Sequence, residues 1–128
     1  MMQRNFLLLV IVVFILSGCQ SKTLTFEGES ENWAAKITAM QDDNREIQDF
    51  VLVYQGEEKE SVAGMEVNYK IEDHTGSSGG RGTLKGPGVL QIKGYSNCSG
   101  CAFVYEGTEI KITVEWEDKT ETILLKAQ

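Results

Sequence analysis

The sequence has few basic residues, one proline and one histidine. Its 128 residues include 12 Lys plus Arg against 19 Asp plus Glu, which gives a formal net charge of −7. This acidic balance argues against nucleic acid as a partner, because a phosphate backbone is bound by clustered cations. The single imidazole, His74, excludes His-rich metal sites and any mechanism that requires two histidines. We therefore expect one globular domain that carries no cofactor and binds no nucleic acid.

Long apolar runs are also scarce, and the prominent one lies at the start of the chain. Residues 6–16 are uninterruptedly apolar, follow Arg4, and are followed by Ser17, Gly18 and Cys19. The run is shorter than the roughly 20 residues that a bilayer-spanning helix needs, so a cleaved secretory signal is the better interpretation. We predict that residues 1–18 are a signal peptide removed on export.

The end of this segment, Leu16-Ser17-Gly18-Cys19, resembles the lipobox of bacterial lipoproteins. The resemblance implies that the Cys19 thiol receives a diacylglyceryl group and becomes the new amino terminus after cleavage. Two acyl chains hold a protein stably at a membrane. We expect residues 19–22 to form a lipidated anchor and short linker, and residues 23–128 to form a domain at the extracytoplasmic face of the cell membrane. The alternative is an ordinary signal peptide followed by an incidental cysteine.

Beyond the signal, apolar residues recur with a period of two, which is typical of half-buried β-strands. In residues 65–71, Met, Val, Tyr and Ile alternate with polar side chains, and residues 110–116 repeat the pattern with Ile, Ile, Val and Trp. Helical periodicity is nearly absent. The predicted strands are residues 24–27, 33–40, 47–55, 65–72, 82–85, 89–93, 102–105, 110–116 and 121–126.

Short strands without intervening helices favour an antiparallel β-sandwich of immunoglobulin-like type with about 7–8 strands. A small closed barrel is the alternative. Residues 117–120 are polar and predict the turn of a C-terminal hairpin. Trp33 and Trp116 lie on alternating apolar faces, so we predict that both belong to the core. We expect the domain to be a monomer.

Cys98 and Cys101 are the most conspicuous chemical pair in the predicted domain. Two thiols this close in sequence can form a disulfide or supply two soft ligands to a metal. Oxidation is favoured outside the cytoplasm, and Ser99 and Gly100 permit a tight turn, so a structural disulfide is our first expectation. The alternatives are a thiol-redox pair and a metal site with His74 as a third ligand. The chain has no second such cysteine pair to complete a zinc site.

Residues 73–88 are rich in glycine, but they do not match a phosphate-binding loop, because no Gly-Lys-Ser/Thr sequence opens a helix there. We predict a mobile loop between strands, with His74 exposed. Acidic clusters at residues 27–31, 42–43 and 57–60 lack the register of an EF-hand and are predicted to be solvated turns. No Gly-x-Ser-x-Gly elbow surrounds any serine, so we name no catalytic residue and expect no enzyme.

Two further segments carry a family resemblance. Residues 26–33 read FEGESENW, and residues 112–123 read ITVEWEDKTETI. Together with the lipobox, these segments resemble small lipoproteins of Bacillus and related Gram-positive bacteria. The resemblance implies a Gram-positive cell surface, with the outer leaflet of the cytoplasmic membrane as the anchoring layer, and it favours an immunoglobulin-like sandwich. It implies no activity and adds no functional residue beyond Cys19.

These observations predict a lipid-anchored β-sandwich that acts without catalysis as an interaction or ligand-binding module for an unknown protein or envelope ligand. The first surfaces to test are the sheet edges and the loops at residues 73–88 and 96–101, because sandwich domains commonly bind through loops and edges. The alternative function is that of an extracytoplasmic metal-binding or thiol-redox protein that uses Cys98 and Cys101.

Overall fold

The computed structural model describes residues 21–57 and 59–128, which contain eight β-strands and one short 3-10 helix. The predicted signal peptide and Cys19 lie outside these residues. No helix within them is long and apolar enough to cross a membrane. The strands are β1 Lys22–Glu29, β2 Trp33–Gln41, β3 Arg45–Tyr54, β4 Glu66–Asp73, β5 Gly76–Thr83, β6 Val89–Ser99, β7 Ile110–Trp116 and β8 Lys119–Ala127, and the helix is Lys59–Val62.

All eight strands pair antiparallel in one sheet, in the order β5-β4-β7-β8-β1-β2-β3-β6. The predicted all-β fold of seven to eight antiparallel strands is therefore confirmed. Two four-stranded halves are joined by two residue pairs between β1 and β8. A β-carbon at Gly28 would overlap the Leu124 carbonyl oxygen beside this junction. Glycine is thus the residue that lets the two halves meet closely.

The sheet curls so that its two halves face each other across one core. Trp33 of β2 and Trp116 of β7 pack edge to face with ring centroids 5.2 Å apart, although two strands separate them in the sheet. Phe50 of β3 and Tyr69 of β4 come from strands still farther apart, and their ring centroids also lie 5.2 Å apart. Both tryptophans are buried, which confirms their predicted place in the core. The inward side chains of both halves form one hydrophobic cluster.

The C-terminal hairpin of β7 and β8 follows the predicted alternation. The four apolar side chains of β7 are buried, and the residues between them are exposed or half-buried. Complete burial of such a side chain contributes roughly 1.5–3 kcal/mol. The turn is shorter than predicted, because β8 already begins at Lys119. Glu117 and Asp118 adopt φ angles of 45° and 62°, the left-handed pair that a two-residue hairpin turn requires.

The prediction of a mobile loop over residues 73–88 is wrong, because β5 occupies its centre. Every β5 residue is exposed except the half-buried Gly82, so no apolar alternation marks the strand in the sequence. Its register with β4 nevertheless runs unbroken over all 8 residues of β5. The strand therefore forms by backbone pairing with β4 rather than by burying a face. His74 is exposed, as predicted, in the two-residue turn between these strands.

The predicted strand at residues 102–105 is also absent from the structure. The backbone N–H of Val104 donates to the Glu46 carboxylate at 3.1 Å, and its carbonyl oxygen accepts from the Gln41 side chain at 2.7 Å. These side chains satisfy the backbone groups that a neighbouring strand would otherwise satisfy. Residues 100–109 consequently form an ordered loop between β6 and β7, which we call the 100–109 loop.

Strand directions assign the connections to two ends of the sheet. We call the end at which β1 begins with Lys22 the N-terminal end. The turn at residues 42–44, the tip of the β4–β5 hairpin at residues 74–75 and the 100–109 loop lie at this end. The connections at the opposite, distal end are residues 30–32, 84–88 and 117–118, together with the connection from Tyr54 of β3 to Glu66 of β4.

Candidate functional site

The two outermost strands of the sheet, β5 and β6, enclose a polar cleft between their free edges. Toward the distal end the two edges touch, because the Leu90 side chain of β6 lies against Gly82 of β5. Just beyond β5, Lys85 forms an isolated antiparallel β-bridge with Val89, the first residue of β6. Toward the N-terminal end they leave a cavity of about 140 Å³, which we call the seam cleft. Its lining residues are Gln48, Ile71, Asp73, Thr75, Gly76, Ser77, Ser78, Tyr95 and Ser96.

The seam cleft unites two segments that the sequence analysis singled out separately. Ser77 and Ser78 belong to the glycine-rich segment, and Ser96 begins the segment that carries the cysteine pair. The tip of the β4–β5 hairpin is ordered by Asp73, whose Oδ1 accepts hydrogen bonds from the Thr75 backbone N–H at 2.6 Å and from the Thr75 hydroxyl at 2.5 Å. One wall of the cleft is therefore a hydroxyl-rich strand with a fixed tip.

Two hydrogen-bonded polar side chains, the buried Gln48 and the half-buried Tyr95, form the back wall of the seam cleft. Gln48 is 3% exposed, and its Oε1 accepts a hydrogen bond from the Tyr95 hydroxyl. Its Nε2 donates to Glu46 Oε1 at 2.6 Å. Burial raises the pKa of Tyr95 well above its ordinary value, and the nearby Asp73 and Glu46 carboxylates raise it further. The Tyr95 hydroxyl is thus a permanent donor that holds the Gln48 amide in one orientation.

Glu46 connects this wall to the 100–109 loop. The residue is 4% exposed, and its carboxylate accepts hydrogen bonds from Gln41 Nε2 at 2.6 Å, Gln48 Nε2 at 2.6 Å and the Val104 backbone N–H at 3.1 Å. A buried carboxylate is tolerated when donors of this kind replace its hydration. The three donors come from β2, β3 and the loop, so one side chain ties three segments together.

The chemistry of the seam cleft is that of hydrogen bonding. The serine hydroxyls donate and accept, the Asp73 carboxylate accepts, and the hydrogen bond between Tyr95 and Gln48 orients the back wall. A volume of about 140 Å³ corresponds to about 4 or 5 water molecules at roughly 30 Å³ each. The cleft therefore suits a small group that carries hydroxyls or amides, such as part of a sugar or a peptide side chain.

The sequence-predicted cysteine pair lies at the N-terminal end, beyond the cleft lining. Cys98 and Cys101 are at disulfide-bonding distance, with their Cα atoms 5.9 Å apart, which is the usual separation for a bridged pair. Cys98 lies opposite Glu46 in the β3–β6 register, so the pair closes the start of the 100–109 loop. Within residues 21–57 and 59–128, no group of three His, Cys, Asp or Glu side chains is arranged to hold a metal ion.

The two segments that carry the family resemblance contact each other at the distal end. Glu121 of β8 accepts hydrogen bonds from the Ser30 hydroxyl at 2.5 Å, the Asn32 backbone N–H at 2.9 Å and the Asn32 side-chain amide at 2.5 Å. Burial raises the pKa of Glu121, but these hydrogen bonds outweigh that effect and leave the pKa below its usual value. These polar residues thus order the β1–β2 turn.

The acidic pair Asp42 and Asp43 lies in an exposed turn, as predicted. Asp42 Oδ1 accepts hydrogen bonds from the backbone N–H groups of Asn44 at 3.0 Å and Arg45 at 2.8 Å. These two bonds lower the pKa of Asp42. Its carboxylate therefore stabilises the turn that leads into β3.

The sequence analysis missed Glu46, Gln48 and Tyr95. Glu46 and Gln48 lie on the same inward face of β3 as the buried Phe50 and Leu52. Two polar residues at positions where the alternation predicts buried side chains could have indicated a buried polar site. Tyr95 lies beyond the predicted strand at residues 89–93, because β6 extends to Ser99.

A second depression of about 520 Å³ lies on the outer face of β1, β2 and β3. Ala34, Val51 and Val53 line it and are half-buried, and Glu27 and Glu29 stand at its rim. The polar side chains that line it, those of Glu27, Glu29, Lys36 and Gln128, are all exposed. The seam cleft is the stronger candidate, because the buried Gln48 and the half-buried Tyr95 give it an oriented polar wall.

Comparisons with protein-family models, curated proteins and solved structures find no match to this chain. Function is therefore inferred from the N-terminal sequence pattern and from the geometry of the seam cleft.

Proposed function

We propose that this chain is a lipid-anchored cell-surface protein whose all-β domain acts without catalysis as a ligand-binding module. The anchor is the diacylglyceryl group expected on Cys19, which holds the domain on the extracytoplasmic face of the cell membrane. The lipobox-like sequence at residues 16–19 supports this part of the proposal, together with the start of β1 at Lys22, a few residues beyond Cys19.

Replacement of the anchoring cysteine tests the attachment. Cells that express wild-type protein, Cys19→Ser or Cys98→Ser are fed a clickable fatty acid, and the protein is followed by label and by detergent-phase partition. We expect Cys19→Ser to lose both the label and the membrane association, because no other thiol lies in the signal-cleavage pattern. Cys98→Ser is the matched control and should keep both. Wild-type protein without label, or labelled Cys19→Ser, would contradict the anchor.

The seam cleft is the proposed ligand contact, and the observation that carries this is its polar back wall, in which the half-buried Tyr95 hydroxyl donates to the buried Gln48 amide. Gln48 and Tyr95 are held in fixed orientation behind the Asp73 carboxylate and the serine hydroxyls. A preoriented set of donors and acceptors loses little entropy when a ligand binds. The ligand class that fits is a small hydroxyl- or amide-bearing group of the cell envelope, and the proposed role is recognition of that group.

Site-specific photo-crosslinking in intact cells tests the cleft. A photoreactive residue replaces Ser78 in the cleft or, as the control, Lys111 on the exposed face of β7. We expect adducts at position 78 that are absent at position 111 and that decrease when Gln48→Leu removes the back-wall amide. Identical adducts at both positions, or adducts at 78 unaffected by Gln48→Leu in a folded protein, would argue against a binding site here.

A further inference from the structure

We infer that the 100–109 loop rests on the lipid surface of the membrane and that Tyr105 lies in the headgroup region. This inference rests on the lipid anchor of the proposed function and adds to it the face of the domain that meets the bilayer.

The first step is the length of the tether. Gln20 and Ser21 separate Cys19 from Lys22, the first residue of β1. A fully extended chain spans at most about 3.3–3.6 Å per residue, so Lys22 lies within about 10 Å of the acylated cysteine. The N-terminal end of the sheet is therefore held against the membrane whatever the rotation of the domain.

The second step is the position of the 100–109 loop beside that tether. Lys22 Nζ lies 3.2 Å from Glu106 Oε1. Both side chains are largely exposed, so the ion pair contributes little to stability. It does show that the 100–109 loop lies close to the start of β1. Residues adjacent to Glu106 in the loop consequently lie close to the first residue of β1.

The third step is the exposure of an aromatic side chain on a rigid support. Tyr105 is 59% exposed, yet its backbone N–H donates to the Thr108 hydroxyl at 3.0 Å and its carbonyl oxygen accepts from the Thr108 N–H at 2.9 Å. The His74 ring packs edge to face against Tyr105, with centroids 5.4 Å apart. The preceding Val104 is buried and bonded to Glu46. The loop is thus built to hold Tyr105 outward.

The fourth step is the match between this side chain and a lipid interface. Tyrosine combines an apolar ring with a polar hydroxyl and is enriched where membrane proteins meet the headgroup layer. Phe103 is half-buried in the same loop, and the Glu106 carboxylate lies beside the Lys22 ammonium group, which carries the opposite charge. Asp42 and Asp43 are exposed on the neighbouring turn, so an anionic surface would be repelled. We therefore expect contact with zwitterionic lipid through the aromatic ring.

The test uses full-length acylated protein in phosphatidylcholine vesicles whose acyl chains carry bromine, a quencher of tryptophan emission. Tyr105→Trp reports on the loop, and Lys85→Trp, exposed at the distal end, is the matched control. The native Trp33 and Trp116 are buried and give a constant background. We expect brominated lipid to reduce the emission of Tyr105→Trp beyond the wild-type loss and to leave Lys85→Trp at the wild-type level.

Hydrogen exchange on the unmodified acylated protein supplies a second measurement, in case Tyr105→Trp disturbs the loop. Amides at residues 105–107 should exchange more slowly on vesicles than in detergent, and those of Gly86 and Gly88 at the distal end should not change. Equal quenching of Tyr105→Trp and Lys85→Trp would overturn the inference. Slower exchange at residues 105–107 that appears on native membranes but not on pure lipid vesicles would also overturn it. A chain without acyl mass on Cys19 refutes the proposed anchor itself, which distinguishes that failure from a wrong orientation.

Discussion

β5 and β7 flank the same strand, β4, on its two sides, and different interactions hold them there. Every second residue of β7 buries an apolar side chain in the core. No β5 residue does so, and β5 is exposed along its length apart from the half-buried Gly82. An edge strand that buries no apolar face thus keeps its register through backbone pairing, to which the exposed Arg81 of β5 adds contacts with Glu66 and Asn68 of β4.

The difference also explains where a binding site can lie. β7 packs against the core on one face and pairs with β4 and β8 on its two edges, so it has no free edge at which a ligand could bind. β5 has a free edge and small hydroxyl-bearing side chains, which leave room for the seam cleft. A free edge without apolar side chains is also a poor template for aggregation compared with a long hydrophobic one.

The largest expected effect comes from the apolar face of β7. Ile112 is fully buried, and Ile112→Ala should lower the free energy of unfolding by about 2–5 kcal/mol, because it removes packed atoms and leaves a cavity. The matched change in β5, Ser78→Ala, should stay within about 0.5 kcal/mol of wild type, because Ser78 is exposed. Urea unfolding of the three proteins measures both values. Equal losses would mean that β5 contributes packing that its exposure does not reveal.

The next effect concerns the 100–109 loop, in which a strand was wrongly predicted at residues 102–105. Glu46→Ala should lower the free energy of unfolding by about 1–3 kcal/mol, because it leaves buried donors of Gln48 and Val104 without an acceptor. Limited proteolysis should then cleave within the loop. Glu115→Ala, on the exposed face of β7, is the control and should change neither property. An unaltered Glu46→Ala protein would show that the loop is held by other contacts.

A smaller effect should distinguish neighbouring glycines of β5. A β-carbon at Gly79 would lie 2.8 Å from the Tyr69 backbone oxygen, which cannot move cheaply, whereas at Gly80 it would lie 2.7 Å from the Tyr69 hydroxyl oxygen at the end of a side chain. Gly79→Ala should therefore cost about 1 kcal/mol. Gly80→Ala should be neutral or stabilising by at most about 1 kcal/mol, since alanine restricts the unfolded chain. Thermal unfolding compares them, and the reverse order would contradict the register of β5 on β4.

The smallest effect is pH-dependent and concerns Glu121, which pairs with Val114 of β7. Its pKa is lowered in the folded protein, so its contribution to stability is present above the ordinary value of 4.5 and is lost as the pH falls through the lower folded value. Solvent screening limits that contribution to at most about 1 kcal/mol. Glu121→Gln should thus be less stable than wild type at pH 7 and equal to it in acid. A stability difference that persists in acid would assign the effect to packing.

Much of the fold could be predicted from alternation, and the failures share one cause. Residues 110–116 were predicted with their bounds because each inward residue is apolar. Residues 76–81 of β5 were missed because all of them are exposed, and residues 102–105 were misassigned because a side chain, Glu46, takes the place of a partner strand. Period-two patterns report burial, and they do not report hydrogen-bond partners.

The candidate site was less predictable than the fold. The serines of β5 and Ser96 stood in segments chosen as surfaces to test, but the sequence contains no indication that they face each other. Gln48 and Tyr95 are far apart in sequence and meet through the pairing of β3 with β6. Such a contact depends on register across strands, which local patterns leave open.

The amino-acid sequence by itself determined that residues 23–128 fold as an antiparallel all-β domain with Trp33 and Trp116 in its core. The reason is that the hydrophobic effect buries the apolar face of each strand with alternating side chains. It also carries the lipobox-like pattern from which the anchor at Cys19 is proposed. Only the tertiary structure decided that the two free edges face each other, that Glu46 is buried among donors, and that Tyr105 projects beside Lys22. Those features arise from strand order and curvature, which depend on contacts between residues distant in the chain.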